Sequence, residues 1–323
     1  MIINCTELTN KLVENKNMND FFKEVLFFDI ETTGLAHKSS YIISITVLLF
    51  EKKTFKIYQL FCENKPDEKE MIKYFKDFIK NKKYIVTYNG NTFDIPFISS
   101  KALQFNIDCS LNKKIKIDLY SDMRYLKNKI TIDNLKLKTV EEYFNINRED
   151  TIMGQDVTIL YEAYRIEPRK EFSTLILQHN YEDVYNLPLL FENIINLYDK
   201  IILHPDIIIK INYYDIMLKK NMLVCNFHVI TNLENNIIHH DINFDLKLNI
   251  QSQLLTINLP FNCFQNEVIE EFYYINNEDF NITRYTAIKG LKKNLIPLKF
   301  NGEIFNNNIL NILEKIFNSV FNK

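Results

Sequence analysis

The sequence has no tryptophan and only five glycines and seven prolines in 323 residues. So little glycine leaves no Gly-rich phosphate loop and no G-x-G-x-x-G turn, which excludes two common nucleotide-binding motifs. Charge of one sign is also missing. Lys plus Arg number 39 against 41 Asp plus Glu, a formal net charge of −2. The chain as a whole is therefore not a polycation that grips nucleic acid wherever it lands. Arginine is scarce while Lys, Asn and Ile dominate, a bias of AT-rich coding that lowers the weight of any single lysine. No long hydrophobic run occurs. The longest, residues 41–50, contains Ser44 and Thr46 and reaches about half the length a bilayer-spanning helix needs, so it reads as a strand and no membrane association is expected. The first 19 residues lack the basic start and apolar stretch of a secretory signal. The five cysteines, Cys5, Cys62, Cys109, Cys225 and Cys263, are odd in number and never in C-x-x-C spacing. Reduced thiols in a cytoplasmic protein are expected, not a disulfide framework or zinc site.

What is present is core material: 46% apolar residues, with 25 Phe and 18 Tyr. At this length two domains are expected. Residues 25–30, 41–50 and 54–61 are short, rich in Phe, Ile, Val and Tyr, and separated by turn-length breaks, as in successive strands. Residues 66–80 place Met71, Tyr74, Phe75 and Phe78 on one helical face behind Pro66 and the acids Asp67, Glu68 and Glu70. Strands over 84–88 and 115–117 alternate with a helix over 93–105, and helical material follows to residue 197. The pattern predicts an α/β fold with a mixed five-stranded sheet flanked by helices, over residues 23–202, after a lead segment, residues 1–22. From residue 203 the texture changes to strand-like alternation, at 222–230, 241–250, 253–259 and 281–288. The end, with Ile309, Ile312, Leu313, Ile316, Phe317 and Val320, has helical spacing. Residues 203–323 are expected to form a smaller, mainly antiparallel β domain with a C-terminal helix.

Three clusters carry chemistry. Asp29 and Glu31, in the run Phe27-Phe28-Asp29-Ile30-Glu31-Thr32-Thr33-Gly34-Leu35, are two apart on a strand and point to one face. Paired acids at the end of an apolar strand either reach solvent or share a cation, and carboxylates suit Mg²⁺ or Mn²⁺. Asp94 closes the run Asn89-Gly90-Asn91-Thr92-Phe93-Asp94, at a strand-to-helix junction where an acid also serves as a cap. His179 and Asp183, in His179-Asn180-Tyr181-Glu182-Asp183-Val184, are four apart and share a helical face.

Together, in this order and spacing, the clusters resemble the motifs of the DEDD 3′–5′ exonucleases of the ribonuclease H-like superfamily: Asp-x-Glu-Thr-Thr-Gly-Leu, then Asn-x-x-x-Phe-Asp, then an aromatic or His followed by the last Asp. The sequence is more closely similar to the bacterial YprB-type predicted exonucleases, through Asp118-Leu119, Arg148-Glu149-Asp150, Gly154, and Tyr161 and Tyr164 on the following helix. The resemblance covers about residues 24–192. One position departs: His179 stands four residues before Asp183, where the DEDD pattern has Tyr at four or His at five.

The resemblance implies a two-metal-ion 3′–5′ exonuclease that hydrolyses phosphodiester bonds of DNA or RNA. Asp29, Glu31, Asp94 and Asp183 would hold two divalent ions, Mg²⁺ or Mn²⁺, with Asp29 shared between them. His179 would accept or orient the attacking water's proton. Thr32, Thr33 and Leu35 would lie along the terminal nucleotide, and Asn89 would either contact the strand or serve as a turn residue. The expected partner is nucleic acid, a single-stranded 3′ end above all. Residues 101–138 carry eight Lys and one Arg against four Asp, either a solvated face or a phosphate track. His239-His240-Asp241 reads as a polar hairpin end, because strand neighbours face opposite ways. Two alternatives remain: a catalytically inactive module of this fold that binds nucleic acid or protein, and a structure-specific endonuclease.

Overall fold

The computed structural model describes residues 1–8, 19–264, 271–283, 285–289 and 292–321. It divides into two compact units, Met1–Leu197 and Tyr198–Lys323.

The first unit is built on β1 (Ile2–Leu8), β2 (Val25–Thr32), β3 (Ile42–Glu51), β4 (Thr54–Phe61), β5 (Tyr84–Thr87) and β6 (Ile115–Asp118), in the order β1-β4-β3-β2-β5-β6. β1 to β4 pair antiparallel, whereas β5 runs parallel to both β2 and β6. The sheet thus has one strand more than the expected five. The addition comes from the lead segment, where Ile2–Leu8 pairs residue by residue with Phe61–Phe55 of β4. Among the described residues it is accompanied by the helices α1 (Asn19–Lys23), α2 (Asp67–Ile79), α3 (Asp94–Gln104), α4 (Leu119–Tyr125), α5 (Leu137–Tyr143), α6 (Gly154–Ile166), α7 (Lys170–Tyr185) and α8 (Leu187–Ile195).

Strand alternation sorts β2 between two layers. Leu26, Phe28 and Ile30 pack with Met71, Ile72 and Phe75 of α2 and Phe97 and Ile98 of α3. Asp29 and Glu31 therefore face the opposite layer, where α6 and α7 lie. There Val157, Tyr161, Tyr164, Ile176 and Leu177 pack on Ile43 and Phe61. Burying Ile176 and Leu177 alone stabilises the contact of α7 with this layer by roughly 3–6 kcal/mol against leaving them in water, so α7 is held firmly over the sheet. Its residues 179 to 183 then stand above the end of β2.

The second unit holds β7 (Lys200–His204), β8 (Ile207–Ile211), β9 (Ile216–Lys219), β10 (Met222–Thr231), β11 (Ile237–His240), β12 (Asp245–Asn249) and β13 (Leu254–Pro260) in one antiparallel sheet. A smaller one contains β14 (Asn262–Phe264), β15 (Phe272–Asn276), β16 (Leu295–Phe300) and β17 (Glu303–Ile304). Helix α9 (Asn306–Phe321) packs Ile309, Ile312, Leu313 and Ile316 into their shared core. The expected strand over 281–288 is absent among its described residues. There Asn277 and Asn308 side chains take over the backbone groups: Ile282 N donates to Asn277 Oδ1 at 2.7 Å and Thr286 N to Asn308 Oδ1 at 2.8 Å. With those groups satisfied locally, no ladder is needed. The 239–241 histidine run lies at a hairpin, with His240 Nδ1 against Asp245 Oδ1 at 2.6 Å and His239 stacked on Phe244.

Candidate active site

The site forms where parallel strands separate. β2 and β5 pair only from Val25–Tyr84 to Phe27–Val86, so the backbone of β2 beyond Phe27 has lost that neighbour. Asp94, at the start of α3, fills the gap: its Oδ1 accepts Ile30 N at 3.0 Å. The strand end opens the position and the acid closes it. The approach to Asp94 is tight, since a Cβ on Gly90 would stand 2.3 Å from Thr87 Oγ1; only glycine fits. Asp118 braces the same turn from β6. Its carboxylate accepts Asn89 N at 2.8 Å and Asn91 N at 3.1 Å, while capping α4 through Tyr120 N and Ser121 N.

Helix α7 supplies the other wall. Asn180, fully buried, donates Nδ2 to Asp29 Oδ2 at 2.8 Å, and its Oδ1 accepts Ser44 Oγ at 2.9 Å and Thr46 Oγ1 at 2.6 Å. His179 Nε2 lies 3.5 Å from Glu31 Oε1 and 3.6 Å from Asp183 Oδ2. Residues from all three sequence clusters thus meet in one place.

Their electrostatics are those of a site waiting for positive charge. Burial pushes the Asp29 carboxyl well above the usual carboxylate range, and the charges of Asp94, Asp183 and Glu31 add to it. Glu31 is raised by burial and by Asp183 and Asp94. Asp94 is pushed up to about 7 by burial, against the opposing Ile30 N–H, with Asp118 and Asp183 raising it further. Among the described residues, no lysine or arginine forms an ion pair with Asp29, Glu31 or Asp94. Buried acids without a countercharge are costly, and hard divalent cations are what clustered carboxylate oxygens hold best.

Asp183 differs. Its Oδ1 is held by Arg148 Nη2 at 2.5 Å, leaving Oδ2 turned toward His179. Arg148 also binds Glu141 Oε2 and Asp150 Oδ1, each at 2.8 Å. Burial would lower the guanidinium, but the charges of Asp183 and Glu141 and the hydrogen bond to Asp150 raise it. Asp150 in turn sits 2.6 Å from His179 Nδ1 through Oδ2, which Lys138 Nζ also reaches at 2.9 Å. Burial alone would raise the Asp150 carboxyl; its bonds from Arg148, His179 and Lys138 override that and hold it well below the usual range.

The expected substrate contacts fall around this centre with unequal freedom. Leu35 is 82% exposed. The Thr32 hydroxyl donates to Gly34 O at 3.0 Å, and the Thr33 hydroxyl accepts Tyr41 N at 3.0 Å. Asn89 has left-handed backbone (φ 63°), and its Oδ1 accepts Thr92 Oγ1 at 2.7 Å, the geometry of a turn residue.

A profile of the RNase H superfamily (RNase_H_2) matches residues 26–195, more than half of the chain. The chain belongs to the RNase H superfamily. The matched span is the mixed sheet from β2 onward with its helices, and it contains all five expected centre residues. No curated protein matches the sequence significantly. Among solved structures, the family B DNA polymerase from the hyperthermophilic archaeon Pyrobaculum calidifontis is similar at 20% identity and a TM-score of 0.44, over 52% of this chain. That alignment spans 24% of the polymerase chain, about a quarter of its length. A nuclease solved in its apo form is similar at 14% identity and a TM-score of 0.36, over 56% of this chain and 76% of its own.

In this RNase H superfamily site the residues present fit divalent metal. Glu31, His179 and Asp183 each offer a ligand atom, all within 4.8 Å of one another, and Asp29 and Asp94 add carboxylates without a cationic partner. Sequence reasoning gave no role to Asn180, Glu141, Arg148 or Asp150. The only signal for the last two was the Arg148-Glu149-Asp150 run, whose partners lie some 30 residues away on α7.

Proposed function

We propose that the protein is a metal-dependent 3′–5′ exonuclease that hydrolyses phosphodiester bonds in DNA or RNA and releases nucleoside 5′-monophosphates. Membership of the RNase H superfamily supports a nuclease acting on nucleic acid. The observation that carries the reading is the convergence of Asp29, Glu31, Asp94 and Asp183, from three separated motifs, on the open end of β2.

In this reading Asp29, Glu31, Asp94 and Asp183 would hold the divalent ions, Mg²⁺ or Mn²⁺. Bound there, such ions supply activation of a water nucleophile and charge neutralisation at the departing 3′ oxygen. The chain's own residues do the rest. Asn180 fixes the rotamer of Asp29, Ile30 N fixes Asp94, and Arg148 fixes Asp183, so the carboxylates are oriented before substrate arrives. His179 presents Nε2 to the same space. Leu35, exposed at the turn after β2, packs against the terminal nucleotide, and Thr32 and Thr33 shape that turn through their hydroxyl bonds to Gly34 O and Tyr41 N. Asn89 acts by shaping the turn that delivers Asp94. The lysines of residues 101–138 offer a path for the phosphates of a single strand.

Incubation with 5′-labelled single-stranded DNA and RNA, in Mn²⁺, Mg²⁺ or EDTA, tests this beside Asp29→Ala. A metal-dependent ladder shortening from the 3′ end, absent in the variant, is expected. Intact substrate in every lane overturns the reading.

A further inference from the structure

We propose that His179 is itself a metal ligand through Nε2, sharing one ion with Glu31 and Asp183, and that Asp150 and Arg148 form the frame that makes it one. The proposal rests on the metal-dependent reading above and assigns His179 to coordination, where the sequence resemblance implies proton transfer.

The argument starts from Asp150. Its side chain is only 1% exposed and ion-paired to Arg148 at 2.8 Å and Lys138 at 2.9 Å. A carboxylate so paired accepts hydrogen bonds and donates none. The contact to His179 Nδ1 at 2.6 Å therefore requires the proton on Nδ1. In the neutral ring that leaves a lone pair on Nε2, and Nε2 is the atom facing Glu31 and Asp183. Nε2 and the two carboxylates then converge, each with an atom within 4.8 Å of the others, an arrangement that a cation satisfies.

Distances separate this from an ion pair. An imidazolium donating to a carboxylate would approach to about 2.7–2.9 Å. The observed separations are 3.5 Å to Glu31 Oε1 and 3.6 Å to Asp183 Oδ2. Donor atoms on one divalent ion, at bond lengths of about 2.1 Å and bond angles of about 90–120°, lie roughly 3.0–3.6 Å apart. The spacing is that of co-ligands. A ligating histidine whose other nitrogen binds a buried carboxylate is the usual outer-shell arrangement of metal sites. Arg148 completes it, holding Asp183 by Oδ1 so that Oδ2 turns inward while also orienting Asp150. One nitrogen among oxygens shifts preference from Mg²⁺ toward Mn²⁺ and later first-row ions.

The test is electron spin echo envelope modulation on the full chain loaded with Mn²⁺, with bound metal counted separately. Modulation from a coordinated imidazole nitrogen is expected in the wild type and absent in His179→Gln. Asp150→Ala, which removes the acceptor that holds the proton on Nδ1, should weaken the modulation and bind Mn²⁺ about 10- to 100-fold more weakly. Bound Mn²⁺ without nitrogen modulation in the wild type, or modulation that persists in His179→Gln, overturns the assignment while leaving the carboxylate site standing. Unchanged modulation and Mn²⁺ affinity in Asp150→Ala remove Asp150 as the positioning residue. A wild-type chain that binds no Mn²⁺ overturns the metal-dependent reading itself. The wild-type spectrum decides even if a variant fails to fold.

Discussion

Asn180 Nδ2 donates to Asp29 Oδ2 at 2.8 Å across the boundary between helix α7 and strand β2, residues 151 positions apart. The same amide takes the Ser44 and Thr46 hydroxyls on its oxygen, so one side chain ties α7 to both β2 and β3. Asn180→Ala strands these partners in a buried site, at a cost of about 2–3 kcal/mol. Asn180→Asp sets a second carboxylate against Asp29 and should cost about 3 kcal/mol or more. Thermal melting of both variants checks the order, with Asp the worse despite its shape.

The acids themselves behave in the opposite sense. Because Asp29, Glu31 and Asp94 repel one another in the metal-free chain, neutralising one relieves strain. Asp29→Asn, which still accepts from Asn180, should gain about 0.5–2 kcal/mol in EDTA while losing hydrolysis. Melting curves beside a nuclease assay measure the two effects on one sample.

The same repulsion sets a pH dependence. Folding raises these three carboxyls above the value of about 4 they have in an unfolded chain, Asp94 to about 7. Between those values the folded state holds more protons than the unfolded state, so metal-free stability falls as pH rises from about 4 to 7. Mn²⁺ takes the deprotonated form, so the melting-temperature gain on adding Mn²⁺ should grow over the same range. Calorimetry at several pH values, with and without metal, reads both slopes.

Arg148 is the cation on which three buried acids depend. Arg148→Met leaves Glu141 and Asp183 without their cation and Asp150 with Lys138 alone, and should cost about 3–5 kcal/mol. Arg148→Lys keeps the charge but cannot fork to three partners, so it should recover stability only in part. Denaturant unfolding of the two variants gives the comparison.

Legibility follows the range of the interactions. The Asp29–Glu31 pair and the i,i+4 spacing of His179 and Asp183 are local, set by strand and helix period, and so can be read along the chain. Strands β2 to β5 carry apolar runs of the right length for the same reason. β1 does not: Asn4, Cys5, Thr6 and Glu7 are exposed on an edge, and only the ladder to β4 makes them a strand. Residues 281–288 err the other way, with strand-like residues whose backbone is claimed by Asn277 and Asn308. Arg148 and Asp150 appear in the sequence only as charges beside a turn. Their function comes from α7, which no periodicity brings to them.

The most direct test of the central claim is the hydrolysis rate of Asp94→Asn in Mn²⁺, on one labelled oligonucleotide, beside the wild type. Asp94 joins the site only through the fold, 65 residues after Asp29 in sequence and bonded to Ile30 N. A folded variant, verified by melting, that cleaves on the order of 100-fold more slowly or worse agrees with four acids acting as one unit. A folded variant that cleaves at the wild-type rate contradicts it.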